Sequence, residues 1–325
     1  MNSHPFATLT PDQLLDLVEA LDLQPDGRLL ALNSYENRVY QVGIDEAEPL
    51  ILKVYRPSRW SIPALEEEHA FALELAARDI PVVPPLTING RTLHEHAGFH
   101  YALYPRRGGH APELGDPDTR EWLGRMLGRI HALGAVAPFA HRPNLDPQRM
   151  GRESRDYILA QALIPAALLP AYQSVTDDLL IDIEAAFSRA QGYAVIRLHG
   201  DCHPGNILWT DQGPHFVDLD DCINGPALQD LWMLLSGERA ERALQLSDVL
   251  AGYEDFHPFD PRELQLLEAL RTLRLMSHAA WLARRWDDPA FPPAFPWFAS
   301  ARFWEDHILA LREQTAAMQE PPLSV

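Results

Sequence analysis

A short polar loop between two apolar segments restricts the fold of this chain more than any other feature. Residues 195–198 and 207–209 have the composition of buried strands, and the loop between them carries Asp201 and Asn206, five positions apart. Another apolar segment follows, and it ends in Asp218-Leu219-Asp220-Asp221. Asp218 lies twelve residues after Asn206. Because functional side chains are commonly carried on loops that a rigid scaffold positions, these two loops hold the first candidate functional residues.

The loops interrupt a chain that changes character near residue 105. The first part predicts a helix that opens at Thr10-Pro11, strands at 29–32, 38–42 and 50–55, a helix at 61–78, and strands near 91–95 and 99–104. After the turn residues of Pro105–His110, helices are predicted at 117–133, 152–170, 174–190, 226–236, 239–256, 261–285 and 301–318. We therefore expect an α+β protein with one domain over 1–105 and a larger, mainly helical domain over 106–325.

The composition is strongly acidic. Among 325 residues there are 27 Lys and Arg against 46 Asp and Glu, which gives a formal net charge of −19. A field of that sign repels nucleic-acid phosphates and anionic membrane surfaces, so we expect neither as a partner. The two cysteines cannot form a disulfide framework, and the sequence has neither a long apolar run nor a basic, then apolar, N-terminal segment. We therefore expect a cytoplasmic protein.

The spacing of the polar residues suits phosphoryl transfer. That reaction needs one carboxylate to receive the proton of the acceptor hydroxyl and other groups to hold Mg²⁺ against the phosphates. One Asp and one Asn, completed by phosphate and water, meet the octahedral oxygen preference of Mg²⁺. His199-Gly200-Asp201 followed by Asn206 keeps the spacing of the kinase pattern H-R-D-x-x-x-x-N, with Gly200 in place of Arg. Asp218 ends the next strand, where that pattern places a metal-binding Asp.

The pattern H-G-D-x-H-x-x-N followed by D-x-D resembles the aminoglycoside phosphotransferase and choline kinase superfamily. Segments along nearly the whole chain resemble, more narrowly, the bacterial stress response kinase A (RdoA) family: Asn33–Tyr40, Lys53–Trp60, Leu198–Trp209, Val217–Asp221, Gly225–Ala227, Trp281–Trp286 and Gln319–Leu323. The resemblance implies a two-lobed protein-kinase-like fold, with a small N-terminal antiparallel sheet lobe and a larger helical C-terminal lobe. It also implies Mg²⁺- and ATP-dependent phosphorylation of Ser and Thr hydroxyls of proteins, by a cytoplasmic monomer in a bacterial stress response.

The resemblance also implies roles for single residues of the two loops. Asp201 would accept the proton of the acceptor hydroxyl. Asn206 and Asp218 would hold Mg²⁺, and Asp220 would assist them, so Asp218 belongs to both the catalytic and the metal-binding sets.

On the nucleotide side, the resemblance places Ser34 in the loop over the ATP phosphates and Lys53 against the α- and β-phosphates. Leu103 and Tyr104 would form part of the adenine-binding hinge. Lys53 stands in an apolar strand, where a solvated lysine is hard to place, and this also favours a functional role.

A helical glutamate is expected to pair with Lys53. Glu66, Glu67 and Glu68 compete for this position. Glu68 fits best, because apolar residues follow it at helical spacing before the helix ends at Ile80-Pro81.

Two departures from the wider protein-kinase pattern bear on phosphate binding and regulation. Asn33–Arg38 contains no Gly, so the side chains of Ser34 or Asn37 would donate to phosphate where a Gly-rich loop uses its backbone. Asp218-Leu219-Asp220 replaces D-F-G, and no A-P-E segment is evident. These departures argue against the usual activation-loop switch.

The motifs leave the acceptor open. The wider superfamily mostly phosphorylates small molecules, and an acidic cleft would suit cationic acceptors, so an aminoglycoside, choline or homoserine-like hydroxyl is the alternative to protein. A nucleotide-binding protein without catalysis is a third interpretation, although every expected catalytic residue type is present. Two secondary hypotheses are oxidant sensing by Cys202 and Cys222, and binding of an acidic partner by the arginines of residues 271–285.

Overall fold

The computed structural model describes residues 4–325; residues 1–3, which the predicted first domain includes, lie outside the described part. Two compact units form within it, each from three stretches of chain. The first unit contains residues 4–119, 139–143 and 199–222, and the second contains 120–138, 144–198 and 223–325. The predicted boundary after residue 105 would divide the chain at one point, whereas each of these units contains three separate stretches. The boundary stays a prediction.

A five-stranded antiparallel sheet forms the centre of the first unit. Its strands lie in the order β1-β2-β3-β5-β4. They are β1 (Pro25–Ala31), β2 (Arg38–Ile44), β3 (Ala47–Val54), β4 (His94–His96) and β5 (Phe99–Pro105). The predicted strands of this region are confirmed, with shifts of a few residues at their ends.

Helices α1 (Pro11–Glu19) and α2 (Ile62–Ala76) pack on opposite faces of this sheet. Each begins at a hydroxyl residue, because the side chains of Thr10 and Ser61 accept hydrogen bonds from the first turns. Leu52 and Val54 of β3 belong to the apolar cluster that contains α1. Since side chains alternate along a strand, Lys53 between them is directed to the face of α2.

Four short strands precede or follow the polar loops along the chain. They are β6 (Ile196–Leu198), β7 (Ile207–Thr210), β8 (Gly213–Phe216) and β9 (Ile223–Gly225). Strands β7 and β8 form a hairpin in the first unit, where the amide of Val83 donates to the carbonyl of Phe216 at 3.0 Å. The predicted β insert is confirmed, and its two loops belong to the same compact unit as Lys53.

The second unit is mainly helical and contains the two-stranded ladder of β6 with β9. The helices that follow the sheet are α3 (Pro117–Gly134, whose first turn lies in the first unit), α4 (Glu153–Ala160), α5 (Leu169–Arg189), α6 (Leu228–Leu231), α7 (Arg239–Tyr253), α8 (Leu267–Arg285), α9 (Phe291–Ala294) and α10 (Ala301–Met318). Among residues 4–325, each helix is too short or too polar to span a bilayer. The sheet and the helical remainder confirm the predicted α+β fold class.

One predicted helix is wrong in extent. The prediction runs from 152 to 170, whereas α4 ends at Ala160 and α5 begins only at Leu169. Gln161 adopts an extended conformation with ψ 104°, and Pro165 follows it closely. In a continuous helix the ring of Pro165 would clash with the carbonyl of Gln161, four residues earlier, so the apolar periodicity of this region does not correspond to one continuous helix.

Candidate active site

Lys53 lies at the centre of a group of carboxylates in the first unit. Its Nζ atom is 2.9 Å from Asp218 Oδ1, 3.4 Å from Asp220 Oδ1 and 3.5 Å from Glu68 Oε1. Lys53, Glu68 and Asp220 are buried, whereas the side chain of Asp218 is 55% exposed. One cation therefore joins β3, α2 and the loop after β8.

This grouping shifts the pKa of its members. Burial lowers the pKa of Lys53, but Asp218, Asp220 and Glu68 together raise it well above its ordinary value. Burial raises the pKa of Glu68, and the positive charge of Lys53 offsets this only in part. Lys53 therefore stays positively charged at physiological pH.

Of the three competing glutamates, Glu68 is the one that lies against Lys53. Glu66 is exposed. The carboxylate of Glu67 instead accepts hydrogen bonds from the backbone amides of Ala140, His141 and Arg142, at 2.6, 2.8 and 2.9 Å.

The loop after β6 is connected to the strand end before Asp218. The Nε2–H of His199 donates to the Val217 carbonyl at 2.9 Å, and the amide of Val217 donates to the Asn206 carbonyl at 3.0 Å. Nδ2 of Asn206 donates to the carbonyl of Asp201 at 2.9 Å. The side chain of Asp201 is 24% exposed, with Nε2 of His203 at 3.6 Å from Oδ2. These bonds give Asp201 and Asn206 fixed positions in the same unit as Asp218.

Asp218 has an unusual backbone. Its φ of 59° and ψ of 62° lie in the left-handed region, directly before a single helical turn at Leu219–Asp221. Asp tolerates this region better than most residues, and such conformations concentrate at functional sites. The turn directs Asp218 and Asp220 to the same lysine.

Two arginines to which no sequence pattern assigns a role complete the site. Arg59 forms ion pairs with Asp220 and, at 2.5 Å, with Asp221. Arg142 donates from Nη2 to Glu68 Oε2 at 2.6 Å. Burial raises the pKa of Asp220, but Arg59 and Lys53 outweigh burial and hold that pKa below its ordinary range. Arg59 belongs to a segment noted for its resemblance, whereas no motif marks Arg142.

The predicted nucleotide-binding residues fall in different surroundings. Ser34 lies in the turn between β1 and β2, where its hydroxyl donates to the Asn37 carbonyl at 3.3 Å. Tyr104 shares the α2 face of the sheet with Lys53, and its hydroxyl lies 2.9 Å from that of Tyr55. Leu103 is fully buried in the apolar cluster on the opposite face. Only its backbone is therefore available to a ligand on the Lys53 face.

The donor chemistry of the predicted metal ligands fits Mg²⁺. With Nδ2 of Asn206 engaged by the Asp201 carbonyl, the amide oxygen is the atom left for a cation. Asp218 offers an exposed carboxylate, and Asp220 offers a buried one whose Oδ1 lies 3.4 Å from Lys53 Nζ. Within residues 4–325, no three His, Cys, Asp or Glu side chains gather around a preformed metal site. A site of one amide and two carboxylates, completed by phosphate, does not require such a cluster.

The structure gives no support to the two secondary hypotheses. Cys202 and Cys222 are buried and form no disulfide, and burial raises the pKa of Cys222 far above its ordinary value, which keeps that thiol protonated. In the arginine segment, Arg271 pairs with Glu268 at 2.9 Å and Arg284 stacks over the ring of Tyr157 at 4.9 Å.

Comparisons of the sequence identify relatives along the entire chain. Residues 28–267 match the family model described as "Phosphotransferase enzyme family". The serine/threonine protein kinase RdoA of Salmonella typhimurium (strain LT2) is 45% identical over 324 residues, which cover 100% of this chain and 98% of that protein. Stress response kinase A of Escherichia coli (strain K12) is 44% identical over 320 residues, which cover 98% and 97%.

Solved structures share the fold at lower identity. An amicoumacin kinase, hAmiN, in complex with AMP-PNP, Ca²⁺ and Ami, has a TM-score of 0.71 at 18% identity, covering 96% of this chain and 95% of that one. A spectinomycin phosphotransferase, APH(9)-Ia, has a TM-score of 0.67 at 14% identity, covering 95% and 98%. These matches confirm the predicted kinase-like fold. The family match and the full-length identity to curated relatives show that the chain belongs to the stress response kinase A family, within the phosphotransferase enzyme family.

Proposed function

We propose that this protein transfers the γ-phosphoryl group of ATP, with Mg²⁺, to Ser and Thr hydroxyls of proteins. One observation carries the proposal: Lys53, Glu68 and Asp218 lie within ion-pair distance in the compact unit that also holds the Asp201–Asn206 loop. Phosphoryl transfer depends on position and charge more than on covalent chemistry by the protein, and this grouping supplies both.

Each residue of the group has a role in the proposed reaction. Asp201 accepts the proton of the acceptor hydroxyl, and the bond from Asn206 to its carbonyl fixes its loop. Lys53 keeps its charge because three carboxylates surround it, and it binds the phosphates of the nucleotide. Asn206, Asp218 and Asp220 hold Mg²⁺, which neutralises negative charge on the phosphates.

A protein acceptor is favoured by the curated relative that is named a serine/threonine protein kinase, at 45% identity. The structural neighbours include an amicoumacin kinase, a spectinomycin phosphotransferase and an aminopropanol kinase, so a small hydroxyl compound is the second candidate. Their identities of 14–20% bear on the fold alone, and we therefore give the curated relative more weight.

We also propose a cytoplasmic location and a role in a stress response. Buried cysteines that form no disulfide suit a reducing compartment, and curated relatives carry the name stress response kinase A.

The deciding experiment is transfer from γ-labelled ATP with Mg²⁺ into a dialysed cell lysate, with the label followed separately in protein bands and small molecules. Asp201→Asn should keep nucleotide binding and lower transfer by about 10²–10⁴-fold, because the amide cannot accept the hydroxyl proton. Asp16→Asn, an exposed change in α1, is the matched control.

Label on Ser and Thr of proteins, including the kinase itself, that depends on Asp201 supports the proposal. If proteins stay unlabelled, aminoglycosides and other small metabolites are added back. Label that enters only small molecules assigns the enzyme to the second candidate. Full activity of Asp201→Asn contradicts the catalytic role itself.

A further inference from the structure

We propose that the segment Phe139–Pro143 is a clamp that holds α2 in the position where Glu68 meets Lys53, and that Arg142 is its positioning residue. The inference deepens the proposed function, because it concerns the lysine–glutamate pair of that reaction. Both the segment and α2 belong to the first compact unit.

Arg142 uses all three guanidinium nitrogens within the site. Nε donates to the Ala64 carbonyl at 2.8 Å, Nη1 to the Asp220 carbonyl at 2.6 Å and Nη2 to Glu68 Oε2 at 2.6 Å. The guanidinium also stacks over the ring of Trp60 at 4.4 Å. A planar guanidinium group with this many fixed partners sets the position of the Glu68 carboxylate and also balances its charge.

The rest of the segment contacts the same face of α2. Glu67 accepts from the three successive amides of residues 140–142, and Phe139 packs edge-on against Phe71 with ring centres 5.3 Å apart. Together with the contacts of Arg142, the segment touches positions 64, 67, 68 and 71 of α2. This is the spacing of one helix face, so the clamp restrains rotation and translation of the whole helix.

The charges explain why Lys53 cannot hold Glu68 alone. Its single positive charge is shared among Glu68, Asp218 and Asp220. Its distance to Glu68, 3.5 Å, exceeds the 2.6 Å between Arg142 and Glu68. Arg142 therefore supplies the stronger restraint on this carboxylate, and Lys53 remains available to Asp218 and to phosphate.

The clamp has a consequence for regulation. In protein kinases the lysine–glutamate pair must be in place for activity, and phosphorylation of the activation loop controls it. Here Asp218-Leu219-Asp220 replaces D-F-G and no A-P-E segment is evident, while the pair is held by residues 139–143. The position of Glu68 is therefore set by contacts with residues 139–143 of the same unit.

Two measurements test the clamp. The first is amide hydrogen exchange of residues 62–76 in the nucleotide-free protein, which does not depend on catalysis. Arg142→Gln should raise exchange in α2, and Glu67→Ala should raise it less, because it removes only the acceptor of the backbone amides. Arg302→Gln in α10, an exposed arginine paired with Asp306, should leave it unchanged.

The second measurement is a double-mutant cycle of kcat. Arg142→Gln alone should lower kcat by about 100-fold, as a shift of about 1 Å in a positioned group can. The same change in a Glu68→Gln background should cause little further loss, because Arg142 acts through Glu68. Arg142→Lys should recover part of the activity, since it restores the charge without the fork.

Unchanged exchange of α2 in folded Arg142→Gln, or losses that multiply in the cycle, would overturn the clamp. If Arg142→Gln does not fold, the exchange of Glu67→Ala decides, and an unchanged α2 again overturns it. If the parent protein transfers no phosphate to protein, the proposed function is wrong. The hydrogen-exchange measurement still tests the clamp, because it does not depend on catalysis.

Discussion

The side-chain carboxyl group of Glu263 is buried in the second unit. Its Oε2 atom accepts a hydrogen bond from the amide of Leu228 at 2.8 Å. Burial raises its pKa from 4.5 to about 8, although the bond from Leu228 opposes the shift. At neutral pH the folded protein therefore holds a proton here that the unfolded chain releases.

The proton on Glu263 makes stability depend on pH. Between pH 4.5 and about 8 the folded state binds more protons than the unfolded state, so the free energy of unfolding falls as pH rises and levels off above pH 8. Glu263→Gln keeps an acceptor for Leu228 and removes the titration. Urea unfolding from pH 5 to 9 should show the variant gaining a few kcal/mol relative to the parent with rising pH. Parallel curves for the two proteins would contradict the buried, protonated carboxyl.

At the same scale, the sequence can name residues to which a motif gives a role, and it misses partners without such a role that are brought in from far along the chain. Asp201 and Asn206 are five apart, so their spacing carries a signal. Arg142 is 74 positions from Glu68, and Arg59 is 161 positions from Asp220. Partners at such separations meet only through the tertiary fold, and a single sequence records no trace of the pairing.

At the scale of elements, glycines set how closely α3 and α7 approach in the second unit. A Cβ atom on Gly124 would overlap the carbonyl oxygen of Val249, and one on Gly128 would overlap that of Tyr253. The contact is reciprocal, because a Cβ on Gly252 of α7 would overlap the carbonyl oxygen of Glu121. The two helices therefore pack with their backbones in direct contact.

Gly124→Ala tests this packing. Alanine favours a helix by about 1 kcal/mol over glycine, so an exposed site would gain stability. Here the added methyl group meets rigid backbone, and overpacking costs about 1–3 kcal/mol, so we expect a net loss. The measurement is the midpoint of urea unfolding, with Gly115→Ala as control because nothing lies within 4 Å of its Cβ position. An increase in stability for Gly124→Ala would mean that the helices lie further apart.

Elements with strong periodicity and clear caps were predictable. The period and the cap of α1 at Thr10 agree with the structure, as do the bounds of α10. The strand β9 was missed, because two of its three residues are Asn224 and Gly225, types that are depleted in strands, and its pairing with β6 is decided by tertiary contacts.

At the scale of the whole molecule, the net charge of −19 acts on every substrate that approaches. An acidic surface concentrates cationic acceptors and raises their association rate, and the effect weakens when salt shortens the Debye length. The proposed reaction leaves the charge of the acceptor unspecified. The electrostatic field of the protein therefore adds a preference for cationic acceptors, which the catalytic residues alone do not provide.

We expect this preference to appear as a salt dependence of kcat/KM. For a basic Ser-containing peptide, kcat/KM should fall by about tenfold or more between low and physiological ionic strength, because the attraction acts mainly before binding. A neutral peptide with the same residues next to its Ser is the matched control, and its kcat/KM should change much less. Equal salt dependence for both peptides would show that the field does not select the acceptor. A fall confined to the basic peptide, absent from its kcat, would assign the preference to capture of the acceptor and leave the chemical step to the residues around Lys53 and Asp201.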